Sequence, residues 1–597
     1  MKISITSIFL FCGLLLCSVL YGQQTMPVSY RFIDTFDIET TDTAGIFLKH
    51  IDSAETKPFL GNLSQTLRKK GFLSASVDTF YTSDSAFHIE LFLGQKYTIS
   101  KISFLNKDKS FLEQNGLPIS HYEKRGVSLS AIESMKKQIL STLANSGYPF
   151  AAIYMDSTII HGSEIQSNLS IQKNSLITYD TLRILGTAQI SPYYLQKILK
   201  IEKGDFYNQI NVARIPSSIL SFDFLKLHKD PYVEFINDKA TIVLPLDKQK
   251  ASRFDFIIGV LPRNNNGVRN FTITGDITGQ FSNELGKGET FGIRYQRLRT
   301  ETQDLELNLN YPYIFKLPFG VDGQFSLFRN TDNFLNLQTN MGIEYQLSSR
   351  EKIKFGWGYE SSRLIAIDTS RLLARKRLPD QLDVSITTGN ISFSVDRLNY
   401  RINPSSGWNS TLRLNIGQKT INPNLTIISL QEDNFSFENA YDTLQLSTFQ
   451  GEINFQGNLY IPISEWGTVK ISNRTAYKYN QNRIFENEFY RIGGNKLLRG
   501  FNEQTIFTPI YTVFTGELRI ILDQFSYLSF PFIDYGYMQV TTLDNRQVWD
   551  QAYGIGIGLN FGTPAGIFNI SFAAGSRLNT GLNFGETKIH FGYVNLF

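Results

Sequence analysis

The sequence predicts a chain in two parts: α+β repeats of β-α-α-β-β order, then an antiparallel transmembrane β-barrel of about 16 strands. Three observations predict it. From about residue 252 to the end, apolar and polar residues alternate with period two, the pattern of strands with one apolar face. The chain holds 47 Phe and 29 Tyr against 6 Met, and aromatic side chains favour pleated surfaces whereas Met suits helical cores. After the N-terminal segment no apolar run reaches the ~18 residues a helical span needs, so helical membrane spans are excluded.

Residues 1–22 read as a secretory signal peptide. Lys2 is its positive end, Ile5 to Leu20 its apolar stretch, and Gly22 the small residue before a cut at Gln23. A lipoprotein signal competes through Cys17, but Leu16 stands where a small residue is wanted. Cys12 and Cys17 are the only cysteines and both lie in this segment, so the mature chain has no thiol for a disulfide, a metal or nucleophilic catalysis. A net charge of +4 with no basic run interleaved with aromatics argues against nucleic acid as a partner.

Residues 23–250 alternate helical and strand patterns, with an internal repeat. LRKKGFLSASV at 67 aligns with ANSGYPFAAIY at 144, each a helix end, Gly, an aromatic, then Ala opening a strand. YTISKISFL at 97 aligns with ITYDTLRIL at 177. Three modules follow, 23–96, 97–176 and 177–250, the first with a poorly defined opening strand. Ser130 and Glu133 make a capping box, with Gly147 ending that helix. Ser191-Pro192 starts a helix with Leu195, Ile198 and Leu199 on one face. In the third module Pro216 interrupts the second helix.

Residues 251–597 form the barrel region. FTITGDITGQF at 271, LELNLNY at 305, TLRLNI at 411, INFQGNLYI at 453 and YGIGIGLNF at 553 alternate, with Arg294, Glu306 and Arg413 on polar faces. A barrel explains an apolar face turned to lipid, a charged face turned to a wet lumen, and a sheet without edges. One segment breaks the alternation. RIGGNKLLRGFNEQ, 491–504, sets Gly493, Gly494 and Gly500 around Arg499.

RIGGNKLLRGF, PFIDYG at 531, GIGIGLNFGTPAGIFNISFAAG at 554 and DRLNYRINPSSGW at 396 occur in the chain in an order and spacing that resemble the BamA/TamA superfamily of outer-membrane assembly and translocation proteins. The resemblance covers nearly the whole mature chain, and three N-terminal modules are closest in architecture to TamA. It implies that the modules are POTRA domains in the periplasm and that the barrel lies in the bacterial outer membrane. It also implies a loop-six motif of Gly493, Gly494, Arg499, Gly500 and Phe501, folded into the lumen against the strand of Phe532, Asp534 and Gly536. There the Arg499 guanidinium would meet the Asp534 carboxylate, since a cation inside a barrel needs such a partner. Phe597 would be the C-terminal assembly signal. A lateral seam would open between the first strand (Phe254, Phe256, Ile258) and the last (Phe591, Gly592, Tyr593).

The implied function is insertion or translocation of unfolded outer-membrane or secreted clients, with strands received on POTRA sheet edges. The implied partners are those clients, the lipid bilayer, and a TamB-like or assembly-complex partner in the periplasm. A two-partner-type secretion transporter and a passive outer-membrane channel stand as alternatives. No cofactor, metal or catalytic residue is expected: His590 is the only barrel histidine, and neither a Ser-His arrangement nor metal-ligand spacing is present.

Overall fold

The computed structural model describes residues 25–596 apart from 35–46, 49, 53–54, 84–85, 118–128, 266–267, 298–301, 331–332, 401–402, 433–434, 524, 542–545, 564–565, 578–580, 583–584 and 586. Residues 1–24, where the signal peptide is expected, and Phe597 lie outside the described residues, as do the side chains of 25, 52, 129, 256–274, 432, 590 and 594–596. The chain divides into two compact units, one of residues 1–178 with 206–210, the other of 179–205 with 211–597.

In the first unit, residues 98–172 hold the order strand 98–104, helices 106–114 and 129–145, strands 152–161 and 164–172. Strand 98–104 runs parallel to 164–172, which pairs antiparallel with 152–161. The two helices cover one face through Leu112, Ile132, Met135, Ile139 and Leu143, spaced at helical intervals against Ile99, Ile102, Ile165 and Leu169. Leu129 already belongs to the second helix, so Ser130 sits within its first turn rather than at its cap. Gly147 has a φ of +93° just beyond its end, and the Tyr148 amide closes back on the Leu143 carbonyl. The preceding module has a defined opening strand, Thr25–Phe32, parallel to 87–91 and flanked by 50–52.

In the second unit, strand 178–185 leads to helix Pro192–Leu199, with Ser191 at its cap position and Leu195, Ile198 and Leu199 buried. Two short helices, Gln209–Ala213 and Ile215–Ile219, follow, with Pro216 in the first turn of the second. Strands 225–227 and 232–236 both pair with 239–248 to complete the sheet.

Sixteen strands then close a barrel. They are β1 (Arg253–Asn265), β2 (Val268–Ser282), β3 (Thr290–Arg297), β4 (Thr302–Tyr311), β5 (Phe319–Asn330), β6 (Phe334–Ser348), β7 (Glu351–Leu364) and β8 (Val384–Asp396). β9 (Gly407–Ile421), β10 (Ser447–Ser464), β11 (Gly467–Asn480), β12 (Ile510–Ile521), β13 (Tyr527–Thr541), β14 (Gln547–Thr563), β15 (Gly566–Arg577) and β16 (Lys588–Leu596) complete it.

Burial along these strands inverts that of a water-soluble protein. Met341 is 61% exposed, and Phe355, Phe514, Ile533, Tyr553 and Phe572 also point outward into the open. Glu344, Lys419, Glu517 and Asp534 are buried. An apolar outer band around a polar interior is the arrangement for lipid outside and water inside. Lumenal charges pair across strands, as Arg294 with Glu306 at 2.9 Å and Lys354 with Asp322 at 2.6 Å.

The third module seats on the short turns at one rim. The Ser191 amide donates to the Gly286 carbonyl at 2.8 Å, Tyr193 Oη to the Lys316 carbonyl at 2.5 Å, and Arg350 to the Ser217 carbonyl at 3.2 Å. Gly288, with φ of +76°, faces the Tyr194 ring so closely that a Cβ would lie 2.4 Å from it. Longer segments at the opposite, far rim carry short helices, 369–375, 425–428 and 437–442. Leu372, Leu382, Ile427, Phe437, Tyr441 and Phe485 gather there into an apolar cluster.

Candidate functional site

The segment between β11 and β12, residues 481–509, folds back inside the barrel. Its stem is a two-stranded hairpin, Tyr490–Ile492 against Ile506–Thr508. At the tip, Gly494 and Leu498 exchange backbone hydrogen bonds of 3.0 and 3.1 Å. Gly493 and Gly494 take φ of +112° and +98°, which side chains resist. A Cβ at Gly493 would lie 2.6 Å from the Asn502 carbonyl, and one at Gly494 would overlap the Glu503 carboxylate, which accepts from the Asn495 amide at 2.7 Å.

Arg499 reaches the wall from this tip. Its Nε and Nη2 donate to the two oxygens of Asp534 on β13, both at 2.8 Å, and its own amide donates to the same carboxylate at 2.9 Å. Thr515 on β12 adds a fourth donor at 2.8 Å. Four donors suit an ionised carboxylate whose residue is only 1% exposed. The guanidinium plane lies over the Phe532 ring, 3.4 Å from its centre, the stacked contact that arginine makes and lysine does not. Glu517 on β12 stands 3.7 Å from Nη1 and also receives Arg519 at 3.0 Å.

The wall beneath the tip is built of small residues. Gly554 on β14 pairs with both Asp534 and Gly575. A Cβ on Gly500 would lie 2.7 Å from the Gly575 amide nitrogen. Gly536 faces Leu498, and Leu498 and Phe501 join an apolar cluster with Ile492, Ile506, Val513, Met538 and Ala552. The structure therefore brings Gly493, Gly494, Arg499, Gly500, Phe501, Phe532, Asp534 and Gly536 into one place. Reading the sequence missed Glu517, Gly554 and Gly575. A signal for Gly554 was present: the polar-face positions of β14, Ala552, Gly554, Gly556 and Gly558, are all small where polar groups are usual.

The DRLNYRINPSSGW segment forms the turn between β8 and β9, away from the loop. Asn399 accepts from the Ser405 and Ser406 amides at 3.1 Å each, and Gly407 passes too close to the Arg397 carbonyl for a side chain. In the β14–β15 turn, Thr563 Oγ1 donates to the Gly566 carbonyl at 2.9 Å.

The seam residues are only partly joined. Among the described residues, β1 and β16 share two register pairs, Arg253–Leu596 and Phe254–Asn595. On either side the ladders are long: β1–β2 runs from Arg253–Gln280 to Asn265–Val268, and β15–β16 from Ile567–Val594 to Ala573–Lys588. Phe591, Gly592 and Tyr593 pair with β15 and take no part in the β1 ladder; Phe254 does. A Cβ on Gly592 would meet only Asn569, at an ordinary 3.6 Å. The side chains of Phe256 and Ile258 lie outside the description.

Residues 283–593 match the model of the Omp85 superfamily domain. The fold is similar to CdiB from Acinetobacter baumannii, at 11% identity over 90% of this chain and 97% of that one, with a TM-score of 0.51. It is similar to CdiB from Escherichia coli at 13% identity over 91% and 97%, TM-score 0.50. BamA from Haemophilus ducreyi lacking POTRA domains 1–3 aligns over 84% of this chain and all of that one, at 14% identity and a TM-score of 0.44. No curated protein matches the sequence. The barrel topology, the lumenal loop and the family match over just over half of its length agree: the chain belongs to the Omp85 superfamily.

Proposed function

We propose that the chain is an outer-membrane factor that inserts or exports unfolded proteins, with its N-terminal modules in the periplasm. The observation that carries this reading is the two-pair ladder between β1 and β16 in a sheet otherwise zipped along its strands. Facing strands that share so short a ladder are a template for another strand. A client strand could add there while the rest of the barrel stays closed. The modules supply the same chemistry: strand 76–82 and strand 152–161 are edges of their sheets, with Phe80, Tyr81, Tyr154, Ile159 and Ile160 exposed. Such edges bind extended peptides by β-augmentation. Strand exchange of this kind needs no catalytic group, cofactor or metal.

A route through the lumen, as in two-partner-type secretion or a passive channel, is the second reading. The loop held by Asp534 occupies that route, which favours the seam. Cysteines at Phe254 and Asn595, register partners, should form a disulfide that blocks client insertion in reconstituted vesicles, reversed by reductant. Full insertion by the locked chain would refute the seam. A client-independent ionic conductance that survives locking would support the channel instead.

A further inference from the structure

The 481–509 loop meets the barrel at a second place that does not involve Arg499. Its shoulder, residues 483–491, is held by groups from five strands. Lys419 on β9 is 1% exposed; its ammonium donates to the Glu488 carboxylate and, at 2.9 Å, to the Arg483 carbonyl. That ammonium lies 4.3 Å from the centre of the Phe485 ring. Lys478 on β11 donates to the Glu488 carbonyl at 2.9 Å, and the Glu488 carboxylate accepts from the Phe485 amide at 2.8 Å. Asn487 donates to Ser362 on β7 at 2.6 Å and to the Leu382 carbonyl at 2.9 Å. Asn336 on β6 donates to the Asn487 carbonyl at 2.7 Å, and Tyr490 Oη donates to Glu452 on β10.

None of these residues shares a hydrogen bond or ion pair with the Arg499 network, whose polar partners stand on β12 and β13; Tyr490 reaches toward it only by a ring contact with Tyr511 of β12. The shoulder also belongs to the far-rim cluster through Phe485, which packs with residues of two other loops. A buried lysine and a buried glutamate that meet only through the loop constrain it strongly, because separating them leaves each charge uncompensated away from water.

We infer that Lys419 and Glu488 are positioning residues of a second, independent anchor: they fix the loop's shoulder and the far-rim cluster to β9, while Asp534 fixes the tip. The loop is thus fastened at two points whose polar partners are disjoint, and such points respond nearly additively to mutation. Each can open without the other.

Hydrogen exchange on the whole purified protein, read by mass spectrometry, tests this. Lys419→Met should raise exchange across residues 483–492 by roughly tenfold or more while residues 496–501 keep wild-type protection. Asp534→Asn should do the reverse, and Lys419→Arg should retain most of the shoulder's protection. Equal loosening of both segments in either variant, or wild-type protection of 483–492 in Lys419→Met, would overturn the inference. Glu488→Gln, close to isosteric, gives the same comparison if Lys419→Met does not assemble. A rise spread over the barrel strands would mark a merely structural role and count against it.

Discussion

Gly554 lies so close beneath Arg499 that a Cβ built on it would sit 2.1 Å from the Arg499 carbonyl oxygen. The obstruction is backbone, which cannot swing aside as a side-chain end can. Gly554→Ala should therefore lift the loop tip from the wall and strain the Arg499–Asp534 contact. Overpacking of this kind costs about 1–3 kcal/mol. Hydrogen exchange across 496–501 should rise in Gly554→Ala; unchanged protection would show that the tip does not rest on this wall.

Removing Arg499 leaves the Asp534 carboxylate buried without its cation, and single loss from a buried pair costs about 3–5 kcal/mol. Arg499→Ala should thus lower barrel stability more than the paired change Arg499→Leu with Asp534→Leu, which removes both charges together. Denaturant unfolding in detergent, followed by heat-modifiable migration, measures the order. If the paired variant is as stable as wild type yet inactive in client insertion, the pair serves function beyond folding.

The third module should loosen when its seat is disturbed. Gly288→Val places a Cβ 2.4 Å from the Tyr194 ring and imposes a φ of +76° on a β-branched residue. Limited proteolysis should then cut within 249–252 faster than in wild type. An unchanged cleavage rate would mean that the Tyr193 and Arg350 contacts alone hold the module.

Met341 stands near the middle of β6 on the outward face. Met341→Arg should destabilise the chain folded in lipid vesicles by about 2–4 kcal/mol, the cost of a cation near the bilayer midplane. Equal stability of wild type and variant in urea titrations from vesicles would place this face away from the hydrocarbon.

The strands were legible because a period-two pattern records which face each residue takes, and nothing else is needed to find them. Helix starts were legible unevenly: Ser191 lies at its cap position, but Ser130 is the second residue of a helix that already includes Leu129. The Arg499–Asp534 pairing was reachable only through resemblance to a family, since the two residues are far apart in sequence and share no local pattern. Glu517 and the Lys419–Glu488 anchor were not legible at all. Their meaning depends on the stagger between neighbouring strands, which sets which polar-face residues come level across the lumen.

By itself, the sequence determined the repeated α+β modules and a barrel with its apolar face outward, because each of these follows from local composition and period. Only the tertiary structure decided where the loop lies, which carboxylate receives Arg499, and that β1 and β16 are joined, among the described residues, by two pairs. Those outcomes depend on closure of a sheet whose first and last strands are more than three hundred residues apart. In such a sheet, register is a property of the whole ring and of no single segment.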